Sequence, residues 1–99
     1  MVKHVILWKL KDMPAEELAA VTANIKTPLE GLAGQIDGLV DIRVYVNDLT
    51  SSNVDVMLDS TFENQDALKN YAIHPAHVAV ANTYVRPYTA TRSCMDFTI

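Results

Sequence analysis

The order of the hydrophobic periods along this 99-residue chain is the strongest constraint on its fold. Residues 2 to 10 alternate between two faces, as in a β-strand, and the same period returns twice in the middle of the chain. One face carries Val2, His4, Ile6, Trp8 and Leu10, and the other carries Lys3, Val5, Leu7 and Lys9. After the first strand, Leu18, Val21 and Ile25 recur at the spacing of an amphipathic helix. The predicted strands cover residues 2–10, 39–46, 53–62 and 88–98.

Polar caps and prolines predict where the first helix begins and ends. Asp12 stands just before Pro14 and is the expected N-cap. The segment Thr27-Pro28-Leu29-Glu30 has the form of a capping box with proline at the first helical position. We therefore expect the helix to stop and restart near Thr27, while its apolar face continues across the break.

The second helical region is likewise bounded by a capping residue and a proline. Asn64 is its expected N-cap, and the helix should end before Pro75 because a residue that precedes proline avoids the helical conformation. A restart is expected through Val78 to Val85. Residues Asp48 to Ser52 are expected to form the hairpin loop between the second and third strands.

The resulting order is strand, helix, strand, strand, helix, strand. It is typical of the ferredoxin-like fold, an α+β class in which both helices cover one face of a four-stranded antiparallel sheet. We expect one such domain over residues 1–99. The opposite face should carry Lys3, Val5, Leu7, Lys9, Asp55, Met57, Asp59 and Thr61. This mixture of apolar residues and opposite charges suits a second copy of the chain, so we expect a homodimer.

Composition argues against several classes of partner. Eight Lys and Arg residues are spread along a chain of net charge -4, which leaves no basic stripe for nucleic acid. No apolar run approaches the roughly twenty residues that cross a bilayer, and the N-terminus lacks a signal-peptide pattern. We therefore expect a cytoplasmic protein without a membrane partner. Cys94 is the only cysteine, which excludes an internal disulfide.

Three histidines and one tyrosine are the candidates for chemistry. His4 lies on the helix-facing side of the first predicted strand, whereas His74 and His77 flank Pro75. Tyr71 lies three residues before His74, so its phenol can point toward the same space. Histidine can act as a general base near neutral pH, and a tyrosine hydroxyl can donate to a carbonyl or enolate oxygen. This group suits carbon-acid chemistry without a cofactor.

Each candidate also has a structural interpretation: His4 as a core histidine, Tyr71 as a packing aromatic, and His74 or His77 as a helix cap. The spacing His-x-x-His favours metal only weakly, because proline interrupts it and no carboxylate motif accompanies it, so we expect no metal. A pocket for a small hydrophobic ligand is expected between sheet and helices. Its expected contacts are His4, Ile6, Trp8, Leu58, His74 and Val80.

Two motifs carry a family resemblance. Lys3 to Asp12 reads KHVILWKLKD, and Tyr71 to His77 reads YAIHPAH. With them the chain resembles, over nearly its whole length, the stress-responsive A/B barrel family, called Dabb. The resemblance implies a ferredoxin-like protomer whose sheet faces that of a second protomer to close a dimeric α+β barrel.

The resemblance also implies roles for single residues. In a polyketide cyclase of this family, the catalytic histidine and tyrosine match His77 and Tyr71, and a first-strand pocket histidine matches His4. By similarity, His77 would be the general base of an aldol-type cyclisation and Tyr71 would hold the oxyanion, with no cofactor. Trp8 and Val80 depart from the pattern of that cyclase, so the resemblance does not imply the same substrate.

Three functions follow from these observations. The first is a cofactor-independent acid–base enzyme of the polyketide cyclase or aldol type, acting on a small hydrophobic carbonyl or phenolic compound through His77 and Tyr71. The second is a non-catalytic stress-response or ligand-binding dimer, in which the histidines form buried hydrogen bonds. The third, from analogy of fold, is a cofactor-free monooxygenase in which Trp8 stacks on an aromatic substrate.

Overall fold

The computed structural model describes residues 1–99 and confirms the predicted order of strands and helices. The elements are β1 (Val2–Leu10), α1 (Ala15–Glu30), β2 (Leu39–Val46), β3 (Val56–Phe62), α2 (Gln65–Ile73), α3 (Pro75–Val80), a π-helical turn (Ala81–Val85), a 3₁₀ turn (Arg86–Tyr88) and β4 (Thr89–Thr98). None of the helices combines the length and the apolar character needed to cross a bilayer. The bounds of β1 and β2 agree with the predicted ones.

The four strands form one antiparallel sheet in the order β2-β3-β1-β4, which is the ferredoxin-like arrangement. β1 is therefore central, with β3 on one side and the edge strand β4 on the other. The helices cover one face of the sheet, and the core lies between these two layers. The largest of its fully buried side chains are Tyr71, Phe62 and Ile25. The side chains of β1 that face this core are His4, Ile6, Trp8 and Leu10.

Helix α1 is continuous, so the predicted interruption near Thr27 is wrong. Pro28 lies inside its last turn, where it removes one backbone donor from the helix. Ile25 and Leu29, on either side of the proline, are 0% and 2% exposed. A continuous helix buries both side chains on one stripe, which stabilises it by several kcal/mol. This gain is comparable to the cost of an interior proline, ~3 kcal/mol. Packing thus overrides the capping-box pattern.

One predicted helix cap is confirmed and one is wrong. Asn64 caps α2, because its side-chain oxygen accepts a hydrogen bond from Ala67 N at 2.8 Å. At α1 the N-cap is Pro14 rather than Asp12, and no side chain caps this end. The carbonyl of Pro14 accepts the first helical hydrogen bond, from Leu18 N at 2.9 Å. Pro14 has an extended ψ of 151°, so the helix begins after it at Ala15, two residues later than a cap at Asp12 would place it.

The loop between β2 and β3 is longer than predicted, because β3 begins at Val56 rather than at residue 53. Asp55 precedes the strand and attaches the loop to β1 in two ways. Its backbone N donates to Trp8 O at 2.9 Å, and its carboxylate accepts from Leu10 N at 2.8 Å. The predicted loop Asp48 to Ser52 therefore covers only the middle of residues 47–55.

The chain breaks at His74 as predicted, but the next helix starts at Pro75, earlier than the predicted Val78. His74 is extended, with ψ of 132°, as expected for a residue that precedes proline. Its Nδ1 accepts a hydrogen bond from Ala76 N at 3.1 Å, so the His74 side chain caps α3. A cap and a proline at the first position together set this early start.

The sheet face opposite the helices has no covering layer in the protomer. Lys3 and Asp59 pair across β1 and β3 on this face at 2.9 Å, which agrees with the predicted mixture of charges. The register adds apolar residues that the sequence patterns did not place there, because they lie on the two edge strands. These are Tyr45, Met95 and Phe97, which are 51%, 66% and 39% exposed.

Candidate functional site

The cavity lined by the two predicted catalytic residues, Tyr71 and His77, lies between the sheet and the α2–α3 segment and has a volume of about 480 Å³. Strand β1, helix α1 and both turns before β4 contribute to its wall. Most of its lining is apolar, which suits the body of a small organic molecule. The lining residues are Ile6, Trp8, Leu29, Leu58, Tyr71, His77, Ala81, Val85, Arg86, Thr89 and Arg92.

Tyr71 reaches this cavity from α2. Its side chain is 2% exposed, and its hydroxyl has no hydrogen-bond partner although it is buried. Burial raises the pKa of the Tyr71 phenol, and the positive charge of Arg92 opposes this rise only in part. The phenol therefore stays protonated at neutral pH and offers an unused donor. Unpaired buried polar groups are rare in native proteins because each one costs about 1–3 kcal/mol.

His77 lies on α3, directly against Tyr71. The two ring centroids are 4.2 Å apart with an angle of 32° between the planes, so the rings are nearly stacked. The break at His74 makes this contact possible, since it folds α3 back over the end of α2. In this arrangement the hydroxyl of Tyr71 is not hydrogen-bonded to the imidazole of His77.

The hydrogen bond of His77 determines which of its nitrogen atoms is available. Nδ1 lies 3.2 Å from the carbonyl oxygen of Ala72, which can only accept, so Nδ1 carries the proton. In the neutral ring, Nε2 then has a free lone pair. Burial lowers the pKa of His77; the bond to Ala72 opposes this, while the charges of Arg86, His4 and Arg92 add to it. The neutral, base-competent form therefore prevails at pH 7.

His4 stands behind Tyr71 rather than in the cavity wall. Its ring packs edge to face with Tyr71 at 6.1 Å and with Phe62 at 6.3 Å between centroids. Its Nδ1 lies 2.5 Å from Oδ1 of Asp96 on β4, and Sγ of Cys94 lies 3.5 Å from the same oxygen. His4 therefore contacts the cavity only through Tyr71.

The cluster of His4, Cys94 and Asp96 brings together three atom types that bind zinc. Its geometry is that of a hydrogen bond, because zinc bonds of about 2.0–2.2 Å would hold nitrogen and oxygen about 3.3 Å apart. Burial, followed by the hydrogen bond and charge of Asp96, raises the pKa of the Cys94 thiol. The thiol is thus neutral and donates to the carboxylate.

Two arginines in the cavity wall were not among the predicted site residues. Arg92 lies on β4, opposite Trp8 in the register of β1 and β4. Arg86 follows the π-helical turn and hydrogen-bonds to the side chain of Asn82. Neither guanidinium forms an ion pair with a carboxylate. The only sequence signal for Arg92 was its place on a predicted strand, whose pairing register was unknown.

The structure brings most of the predicted site residues to one cavity. Ile6, Trp8 and Leu58 line it from the sheet, beside Tyr71 and His77. The other three predicted contacts do not line it. His4 packs behind Tyr71, His74 caps α3, and Val80 packs against the hydrophobic core.

Comparison with known proteins identifies the family of this chain. The sequence matches the Stress Responsive A/B Barrel Domain, Dabb, over residues 2–99. The chain belongs to the Dabb family. Olivetolic acid cyclase from Cannabis sativa, a Dabb relative, is 32% identical over 87 residues, which are 84% of this chain and 82% of the cyclase. An uncharacterized protein of Streptomyces coelicolor is 32% identical over 83 residues, 80% of this chain and 81% of that protein.

Solved structures confirm the Dabb fold. A protein of unknown function from Bacteroides fragilis, described as dimeric with a ferredoxin-like fold, has a TM-score of 0.93 and 34% identity, covering 99% of this chain and 95% of its own. A hydroxynitrile lyase from Passiflora edulis, with a TM-score of 0.72 and 12% identity, covers 99% of this chain and 92% of its own. At such low identity, the second likeness concerns the fold alone.

Proposed function

We propose that this Dabb protein is a cofactor-independent acid–base enzyme that acts on a small hydrophobic carbonyl or phenolic compound, in a reaction of the polyketide cyclase or aldol type. The observation that carries the proposal is the buried hydroxyl of Tyr71, which has no partner and stands against the ring of His77 in an apolar cavity. Such a hydroxyl lacks only an acceptor, and a ligand oxygen is the acceptor that the cavity can admit.

The two side chains have complementary tasks. His77 Nε2 removes a proton from the carbon next to a ligand carbonyl, while Nδ1–H remains bonded to Ala72 O. The electron pair of the broken C–H bond moves toward the carbonyl oxygen, which gains negative charge. Tyr71 donates its O–H to that oxygen, and burial strengthens this interaction because water does not compete. The resulting enolate can attack a second carbonyl of the same ligand.

The relatives support the class of reaction but not one substrate. Olivetolic acid cyclase is named as a cyclase, and its similarity covers 84% of this chain. Trp8, by contrast, narrows the cavity with an indole ring and thereby sets the shape that a ligand must have.

We also propose a homodimer formed through the uncovered sheet face, which sedimentation equilibrium would check. The description of the Bacteroides fragilis structure as dimeric supports it.

Proton exchange tests the proposed chemistry without knowledge of the natural substrate. The probe is 4-phenyl-2-butanone, a neutral methyl ketone with a phenyl group at the end of its chain. Deuterium uptake next to its carbonyl in D₂O is followed by NMR. We expect His77→Ala to slow the catalysed exchange by about a hundredfold, because general base catalysis contributes about 10²–10⁴-fold. His74→Ala is the matched control, since His74 caps the same helix outside the cavity.

The result has two clear readings. Loss of exchange in His77→Ala, with exchange close to wild type in His74→Ala, supports the enzyme. Exchange by the wild type no faster than in buffer, or equal loss in both variants, contradicts it. If the ketone then still quenches the fluorescence of Trp8, the only tryptophan of the chain, the protein is a ligand-binding dimer without this chemistry.

A further inference from the structure

The arginines of this chain fall into two groups. Arg43 lies outside the cavity and pairs with Asp41 at 3.5 Å. Arg86 and Arg92 both line the cavity, and neither pairs with a carboxylate. This is unusual in a chain with twelve acidic residues and a net charge of -4, in which acidic partners outnumber basic ones. Both of the positive charges that line the cavity are therefore without a carboxylate partner.

The one acidic residue of β4 already has hydrogen-bond partners. Asp96 lies on the same strand as Arg92 but is bonded to His4 Nδ1 at 2.5 Å and accepts from the thiol of Cys94. The thiol itself is neutral, so nothing else on this part of β4 supplies negative charge to Arg92. Arg86, on the 3₁₀ turn, is bonded to the neutral amide of Asn82. Positive charge at the cavity thus stays uncompensated within the protomer.

The two arginines and a set of apolar residues line the same cavity. Arg92 stands across from Trp8 on the neighbouring strand, and Ile6 and Leu58 continue the apolar wall from there. A ligand that rests its apolar body on this wall places its end near the guanidinium groups. Arginine presents its N–H donors in a planar fork that matches the two oxygens of a carboxylate.

We propose that Arg86 and Arg92 are a specificity determinant that selects ligands carrying a carboxylate on an aromatic or alkyl body. The inference rests on the proposed function and adds to it the chemical class of the substrate, an organic acid rather than a neutral ketone or phenol. The guanidinium groups hold the carboxylate and so fix the register of the ligand. Its reactive carbonyl is then presented to Tyr71 and His77, which line the same cavity.

The test compares two probes of nearly equal size and shape, the anion 4-butylbenzoate and the neutral 4-butylbenzamide. Binding to the dimer is measured by calorimetry, and quenching of the single tryptophan, Trp8, places the probe in the cavity. We expect the benzoate to bind at least about tenfold more tightly than the amide, as charge-assisted hydrogen bonds add about 1.5–3 kcal/mol. In Arg92→Gln this preference should fall to about threefold or less, with little change for the amide.

The controls separate charge recognition from stability and from catalysis. Lys69→Gln removes the same charge from an exposed position on α2 outside the cavity, and it should keep the full preference. Arg86→Gln gives a second variant in case Arg92→Gln does not fold. Equal binding of both probes to the wild type, or a preference that survives in both arginine variants, overturns the proposal, as does failure of the benzoate to bind.

Failure of this proposal can be told apart from failure of the proposed function. The proton exchange of neutral 4-phenyl-2-butanone depends on His77 and Tyr71 and needs no carboxylate. If that exchange occurs while benzoate and benzamide bind equally, the enzyme stands and the arginines have no role in selection. If benzoate is preferred and exchange is absent, the arginines select an acid that the protein only binds.

Discussion

Tyr71 has a histidine on either side, and the two histidines differ in the hydrogen bonds that they form. Behind the tyrosine, the carboxylate of Asp96 is hydrogen-bonded both to Nδ1 of His4 and to the thiol of Cys94. In front of it, His77 keeps a free Nε2, and the hydroxyl of Tyr71 has no partner. The difference lies in the partner of Nδ1, a carboxylate for His4 and a backbone carbonyl for His77. A satisfied cluster stabilises the fold, whereas unsatisfied groups are available to a ligand.

The largest expected effect is on stability and separates the two histidines. His4→Ala should lower the free energy of unfolding by about 2–4 kcal/mol, because a buried ring that packs on Tyr71 and Phe62 is lost together with its bond to Asp96. His77→Ala, on a half-buried side chain, should cost about 1 kcal/mol or less. Urea unfolding of both variants measures this. Equal costs would abolish the distinction between the two surroundings.

A smaller effect, of opposite sign, is expected at the tyrosine between them. Tyr71→Phe removes the unpaired hydroxyl and keeps the ring, so the free energy of unfolding should stay constant or rise by up to about 1 kcal/mol. The same change should slow the proton exchange of 4-phenyl-2-butanone by about a hundredfold, as loss of one oxyanion donor does. Thermal melting and NMR exchange on one sample would check both. Destabilisation by more than about 1 kcal/mol would mean that the hydroxyl has a partner after all.

The smallest expected effect is a dependence on pH. Burial lowers the pKa of His77 in the folded protein, whereas the unfolded chain has the ordinary value of about 6.5. As the pH falls below that value, the unfolded chain binds the proton first, so the contribution of His77 reduces stability progressively down to its folded pKa. His77→Gln should therefore lose less stability than the wild type between neutral and mildly acidic pH, with His74→Gln as the control. NMR titration of the His77 ring checks the direction, and a pKa at or above 6.5 would contradict it.

The sequence predicted the local part of this structure better than the long-range part. The bounds of β1 and β2 follow from the two-residue period of a strand, and the break at His74 follows from Pro75. The continuity of α1 through Pro28 could not be predicted in this way, because it depends on how deeply the neighbouring side chains are buried in the folded core.

The candidate site likewise contains residues that the sequence could identify and residues that it could not. The pair Tyr71 and His77 could be selected from one short motif, whereas Arg92, Cys94 and Asp96 could not be associated with any site. They lie on β4, an edge strand whose residues are almost all exposed in the protomer. Without alternating burial, the sequence contains no signal for the register that sets Arg92 beside Trp8 and Asp96 beside His4.

The short separation between Tyr71 and His77 has a consequence for how the site can change over time. Six residues and one break bring the donor and the base together, so little chain entropy is spent on closing that contact. The groups that shape the cavity, Trp8 and Arg92, come instead from distant strands. Substitutions in the sheet can therefore give the same reactive pair a new ligand, and drift in specificity need not begin with loss of the chemistry.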